Sequence, residues 1–328
     1  MMPSILRRSC GPLLVACVIA HGAALLAQHH EVVPDWPKLP AGEVLGLCAG
    51  VGVDSHNRVF VFHRRERKWV TPFPKEPIAG TTVSVFDGAT GRLFNSWGAR
   101  RFIMPHGLTI DHEDNVWLTD VGLHQVFKCT PDGMVLLKLG EARVPGDDQA
   151  HFNLPTDVAV MRDGSFYVSD GYKNTRVLKF SSDGNFEFQW GTKGSGPGQF
   201  DLPHGIALDS KNRVYVCDRS NSRIQIFGQR GKFLDQWKGS QIGRPYGVSV
   251  GADDRIYLID GGDPSLRPEN RGKVVELNAS GKVLDTFGSP GKAPGQFQMG
   301  HDIAVGPDGA VYVAEGAGAR VQKFVWRP

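Results

Sequence analysis

LPTDVAVMRDGSFYVSDGYKNTRVLKFSSDGNFEFQWG, residues 154–191, is the stretch whose reading decides the fold. Apolar side chains recur at every second position in four short runs: Val158 and Val160, Phe166 and Val168, Leu178 and Phe180, and Phe186, Phe188 and Trp190. That spacing gives a strand two distinct faces, and the intervening Arg-Asp-Gly and Ser-Asp-Gly are hairpin-turn chemistry. No segment of the chain shows a sustained helical period.

The same order of runs returns along the sequence. Counting from Val51, Leu108, Val158, Ile206, Val248 and Ile303 gives six units, and the second run of a unit ends in an acid at Asp120, Asp170, Asp218 and Asp260. One unit of four short strands cannot bury both of its faces, whereas units stacked radially can. The prediction is an all-β, six-bladed β-propeller around a central channel, forming a single domain over residues 28–328. The last unit, from His301 to Pro328, lacks a fourth strand, so a segment between Glu31 and Leu45 is expected to supply it and tie the ring shut. Two insertions, Arg65–Thr81 in blade one and Pro264–Gly272 in blade five, are expected to be rim loops that wall a site.

Residues 1–27 stand apart. Arg7 and Arg8 precede the apolar run GPLLVACVIAHGAALLA, and polar sequence starts at Gln28, which is the layout of a secretory signal peptide cut after Ala27. A lipoprotein reading, with Cys17 acylated, is the rival, and twin-arginine export a weaker one. No other apolar run approaches the ~20 residues that cross a bilayer as a helix. The expectation is a secreted or periplasmic monomer with no membrane span. With 37 Lys+Arg against 34 Asp+Glu and no block of one sign, the chain carries no electrostatic footprint for nucleic acid. Cys48, Cys129 and Cys217 are too few and too far apart for a disulfide framework and read as small buried strand residues.

Three units carry a histidine in one frame: MPHGLTID at 104–111, LPHGIALD at 202–209 and MGHDIAVG at 299–306. Two others, LPTDVAVM at 154–161 and RPYGVSVG at 244–251, do not. In a propeller the first strand of each blade lines the channel, so His106, His204 and His301, on blades two, four and six, should converge from directions about 120° apart at one height. Three imidazoles with a fourth position open along the axis are what a catalytic zinc requires. A single histidine of this kind would more simply bond a neighbouring carbonyl; the alternation of three argues for the metal. His56, His112 and His151 sit in turns and are expected at the surface. A second ring follows the second strands: Arg64 after His63, Tyr172 after Asp170 and Arg219 after Asp218. Two guanidiniums and a phenol beside a metal suit an anionic substrate such as a carboxylate.

These residues resemble the peptidyl-α-hydroxyglycine α-amidating lyases from about Gly50 to the C-terminus. The resemblance is carried by VFHR at 61–64, LTDVGLHQVFK at 118–128, PGDDQAHFNLPTDVAV at 145–160, VSDGYKNTR at 168–176, CDRSNSRIQ at 217–225 and MGHDIAV at 299–305. The six units also resemble NHL repeats at large, many of which are binding scaffolds. The lyase resemblance implies zinc on His106, His204 and His301, and a structural calcium held by the backbone carbonyls of Val51 and Leu108 and the carboxylate of Asp302. It implies Arg64 and Tyr172 as a catalytic pair, and Arg219 and Met299 at the substrate site. The implied reaction cleaves the N–Cα bond of a small peptide ending in α-hydroxyglycine, giving a peptide amide and glyoxylate, with Tyr172 as base.

The chain departs from the family in places. Asn153 with Lys173, and Tyr215 with Ile226, stand where the animal lyases have two disulfides, and Gly300 stands where Pro is favoured before the last histidine. The chain has no room for the copper monooxygenase that makes the hydroxylated substrate in animals, so that substrate is expected from elsewhere. Two alternatives stay open: an exported non-enzymatic NHL propeller that binds a peptide or protein, and a metal-dependent lyase or hydrolase acting on another small α-hydroxy amide.

Overall fold

The computed structural model describes residues 29–262 and 271–328. The leader with its cleavage after Ala27 and the acylation at Cys17 lies outside the described residues, as does the blade-five insertion except Arg271 and Gly272.

Six four-stranded antiparallel sheets follow one another, five of them simple meanders and the sixth completed by a strand from the start of the described chain. Blade three, the opening stretch of sequence, runs Pro155–Val160, Phe166–Asp170, Arg176–Phe180 and Phe186–Trp190. The innermost strands are Cys48–Val53, Pro105–Ile110, Pro155–Val160, Pro203–Leu208, Pro245–Val250 and Gly300–Val305, and each touches the next in a closed ring. Inner strands are almost wholly buried, while an outermost strand such as Phe186–Trp190 alternates, one face on its neighbour and one in water. Buried side chains form six clusters among the described residues, one at each seam between blades. Radial stacking therefore supplies the core that a lone sheet lacks. The one helical element among the described residues is a single 3-10 turn, Arg219–Asn221.

Blade six is closed from the other end of the chain, as expected, but by an earlier segment. His29–Val32 pairs antiparallel with Val321–Arg327, setting His30 opposite Trp326 and Val32 opposite Phe324. Only Glu31 and Val32 of the predicted stretch take part. Pro34 and Pro37 cannot donate ladder hydrogen bonds and end the strand. The chain beyond it packs Trp36 over Phe86 and Tyr312, on the seam between blades six and one.

The second strands end in buried acids that fasten the preceding loop. Asp120 accepts from the backbone N–H groups of Ile103 and Met104, Asp170 from Asn153, Asp218 from Asp201, Asp260 from Arg244 and Glu315 from Gln298. Blade one breaks the pattern, with buried His63 in that place. Cys48, Cys129 and Cys217 are buried free thiols, and Tyr215 lies directly across a strand pair from Ile226.

Candidate metal centre and substrate pocket

His106, His204 and His301 are brought together. Each is the second residue of its inner strand, and their ring centroids stand 4.8, 4.8 and 4.9 Å apart, close to an equilateral triangle on the axis. Nδ1 of each ring lies 2.7 Å from a backbone carbonyl of the next blade: Thr156 for His106, Tyr246 for His204 and Ala49 for His301. Only a protonated Nδ1 can donate to a carbonyl, so every Nε2 carries a lone pair directed at the axis. The blades without a histidine thus contribute the carbonyls that fix the tautomers. Burial pushes all three imidazoles well below the usual histidine range; for His106 the neighbouring His301 adds to this, for His204 Arg219 does, and for His301, at about 3, Arg64 does. Neutral, preoriented and sharing no competing carboxylate, the three nitrogens are a donor set that fits zinc.

Tyr172 reaches this triangle from blade three. Its hydroxyl is 3.0 Å from Nε2 of His106 and 3.3 Å from Nε2 of His204, and Arg219 Nη1 donates to the same oxygen at 3.3 Å. The preceding Gly171 makes that reach possible: a Cβ there would sit 1.7 Å from the Pro203 carbonyl oxygen. Arg219 lies between two aromatic faces, with its guanidinium carbon 4.5 Å from the ring centre of Tyr246 and 5.2 Å from that of Tyr172.

Arg64 is buried on the opposite side. Its Nε donates to the Pro105 carbonyl at 2.8 Å, and its guanidinium stacks on Trp69 at 5.2 Å. Burial pulls its pKa below the ordinary arginine value. Nη2 of Arg64 and Nε of Arg219 are buried without a hydrogen-bond partner. Position 63, an acid in the other blades, holds the buried His63, whose Nε2 lies 3.0 Å from the Ser84 hydroxyl. Met299, next to His301, takes the left-handed backbone at φ 56°, as Leu154 and Leu202 do ahead of blades three and four. Gly300 itself is not left-handed; it is small because a Cβ would come within 2.4 Å of Ile259.

Below the histidines, Asp302 accepts from the Val51 N–H at 2.9 Å. Opposite it is Asp157, unforeseen from the sequence, which accepts from the Ile206 N–H at 3.1 Å. The position is one where other inner strands have glycine: at Gly107 a Cβ would fall 2.4 Å from the Thr156 carbonyl. An acid in that frame was the signal to find Asp157. Burial raises Asp157 to about 7, and burial, followed by repulsion from Asp157, raises Asp302 well above the carboxylate range. Both carboxylates face a cavity of about 410 Å³ at the far mouth of the channel, shared with Val51 and Leu108. Two buried acids near backbone oxygens are a hard-ligand set that fits calcium.

The NHL repeat model matches residues 152–180 and 200–227. The fold is shared with virginiamycin B lyase from Staphylococcus aureus, at a TM-score of 0.59 and 13% identity over 91% of this chain and 99% of that one. Peptidyl-glycine alpha-amidating monooxygenase B of Xenopus laevis is 40% identical over 90% of this chain, which spans 35% of that protein's length. The probable peptidyl-alpha-hydroxyglycine alpha-amidating lyase pgal-1 of Caenorhabditis elegans is 37% identical, over 90% of this chain and 86% of its own. The chain belongs to the peptidyl-α-hydroxyglycine α-amidating lyase family of enzymes.

Proposed function

We propose that the protein is an exported, zinc-dependent lyase that cleaves the N–Cα bond of peptides ending in α-hydroxyglycine, releasing a peptide amide and glyoxylate. The observation that carries this reading is the Tyr172 oxygen, within hydrogen-bond reach of both His106 and His204 and of Arg219. Zinc, held by His106, His204 and His301, would supply Lewis acidity to the substrate hydroxyl. Tyr172 is then the base that takes the hydroxyl proton. The O–H electron pair becomes the second bond of the aldehyde, the N–Cα pair stays on nitrogen, and a proton returned to that nitrogen completes the amide. Arg64 and Arg219 bind the carboxylate, Arg64 through its unpartnered Nη2. Met299 borders the pocket. Calcium at Asp302, with the carbonyls of Val51 and Leu108, would be structural, holding blades one, two and six. The leader at 1–27 supports export, and a monomer suffices because one chain supplies every group named.

Glyoxylate release from a short peptide ending in α-hydroxyglycine tests the reading, using zinc-loaded protein beside a His204→Ala variant. Release that disappears with His204 supports both reaction and metal site. Folded, zinc-loaded protein that releases none would redirect attention to another α-hydroxy substrate or to a binding propeller.

A further inference from the structure

The rim loop of blade one places an indole where no group of the reaction needs one. Trp69 lies on Arg64, 5.2 Å from its guanidinium carbon, and its ring centroid is 5.0 Å from that of Tyr172. Phe73 meets Trp69 edge-on at 5.0 Å. Trp69 remains 38% exposed and the adjacent Val70 50%, so an apolar surface is presented to water directly beside the pocket.

That surface is held in place. Ile78, fully buried, exchanges backbone hydrogen bonds with Phe102 and Arg100 in the segment that leads into blade two. Arg67 donates to the carbonyls of Ile103 at 3.1 Å and Glu76 at 2.9 Å, and Arg143 to that of Lys75. An aromatic wall braced from two sides loses little entropy when a ligand lands on it. Across the pocket the wall is different in character: Arg219 and Arg244 stand over the Tyr246 ring. Arg64, covered by Trp69, and Arg219 take the carboxylate, which leaves the part of the indole turned away from Arg64 and open to water for what lies on the other side of the scissile bond.

We infer that Trp69, braced by Phe73, forms a subsite for the side chain of the residue preceding the terminal one, selecting peptides with an aromatic or large apolar residue there. The identity of the terminal residue rests on the lyase reading; the subsite does not need turnover to be seen. A phenyl ring stacked on the exposed indole face gains area burial together with the offset-stacking preference of aromatic pairs. A glycine at that position gains neither.

Unreactive ligands therefore test it. Calorimetric titration of the zinc-loaded protein with N-acetyl-Phe-Gly and N-acetyl-Gly-Gly, both bearing the carboxylate and lacking the hydroxyl, is expected to give about tenfold tighter binding of the first. Trp69→Ala should bring the two affinities within about twofold, and Trp69→Phe, which keeps an aromatic face, should retain most of the ratio. Equal affinities in the unaltered protein would overturn the subsite. So would a Trp69→Ala variant that weakens both ligands by the same factor, since that marks Trp69 as a prop for Tyr172 and Arg64. Failure of glyoxylate release with the tenfold ratio intact would count against the lyase reading alone.

Discussion

The hydroxyl of Tyr172 stands 3.0 Å from Nε2 of His106, on the side of the histidine triangle from which Arg219 also approaches. The phenol oxygen is thereby fixed beside the histidine triangle, where the proposed reaction calls for a proton acceptor. Replacing Tyr172 by Phe removes the oxygen and leaves the three imidazoles with their carbonyl partners. Turnover should fall by about 10²–10⁴ while bound zinc, measured by atomic absorption, stays at the unaltered stoichiometry. Full activity in that variant would show that the base lies elsewhere.

Arg64 is a buried cation with one guanidinium nitrogen unpartnered. Lysine at this position keeps the charge but loses the fork, the bond to the Pro105 carbonyl and the stacking on Trp69. Arg64→Lys is expected to lower kcat/KM for glyoxylate release by roughly 10- to 100-fold, the size of one lost charge-assisted hydrogen bond, with zinc retained. A loss below twofold would place the carboxylate away from Arg64.

His63 makes a pH prediction. Burial holds its imidazole down to about 3, so the folded state keeps it neutral while the unfolded chain protonates at about 6.5. A depressed pKa gives stability that is complete above 6.5 and is lost progressively as pH falls toward 3. At pH 5 this one group should cost about 2 kcal/mol. Urea melts at pH 7.5 and pH 5 should show His63→Gln losing less stability on acidification than the unaltered protein by roughly that amount, because glutamine can still reach the Ser84 hydroxyl, 3.0 Å from His63 Nε2, and takes up no proton. Identical pH slopes would count against the buried neutral imidazole.

For the lower channel, calcium added to chelator-treated protein should raise its melting temperature, with a gain of about 2.7 kcal/mol at a free concentration a hundredfold above Kd. Asp302→Asn should abolish the gain and Asp157→Asn reduce it. A calcium shift that survives both substitutions would put the ion elsewhere.

Much of the site was legible because the propeller is a repeat. Once six frames are aligned, a histidine in three of them, an arginine at 64 after a missing acid, and Tyr172 and Arg219 just past their strands stand out against their counterparts. What stayed hidden depends on distances between blades. The carbonyls of Thr156, Tyr246 and Ala49 are backbone atoms and leave no mark on side-chain identity. Trp69 lies in an insertion with no counterpart in other blades, so alignment says only that a loop is there. Asp157 was in plain view at a glycine position, but its meaning comes from Asp302, which faces it across the ring. The closing strand was misplaced because its register is chosen by the last strand, Val321–Arg327, at the other end of the chain.

That final pairing sets an order in time. His30 finds Trp326 only after the 295 residues between them have been made, so the ring cannot close while those blades are being synthesised. At 5–20 residues per second the opening strand waits on the order of 15–60 s for its partner. Through that interval it is an unpaired edge, open to any strand it meets. The last stitch is therefore the step at which folding is most exposed to dimerisation by strand exchange, and a brake on elongation anywhere between the two strands would lengthen that exposure without altering one contact of the finished molecule.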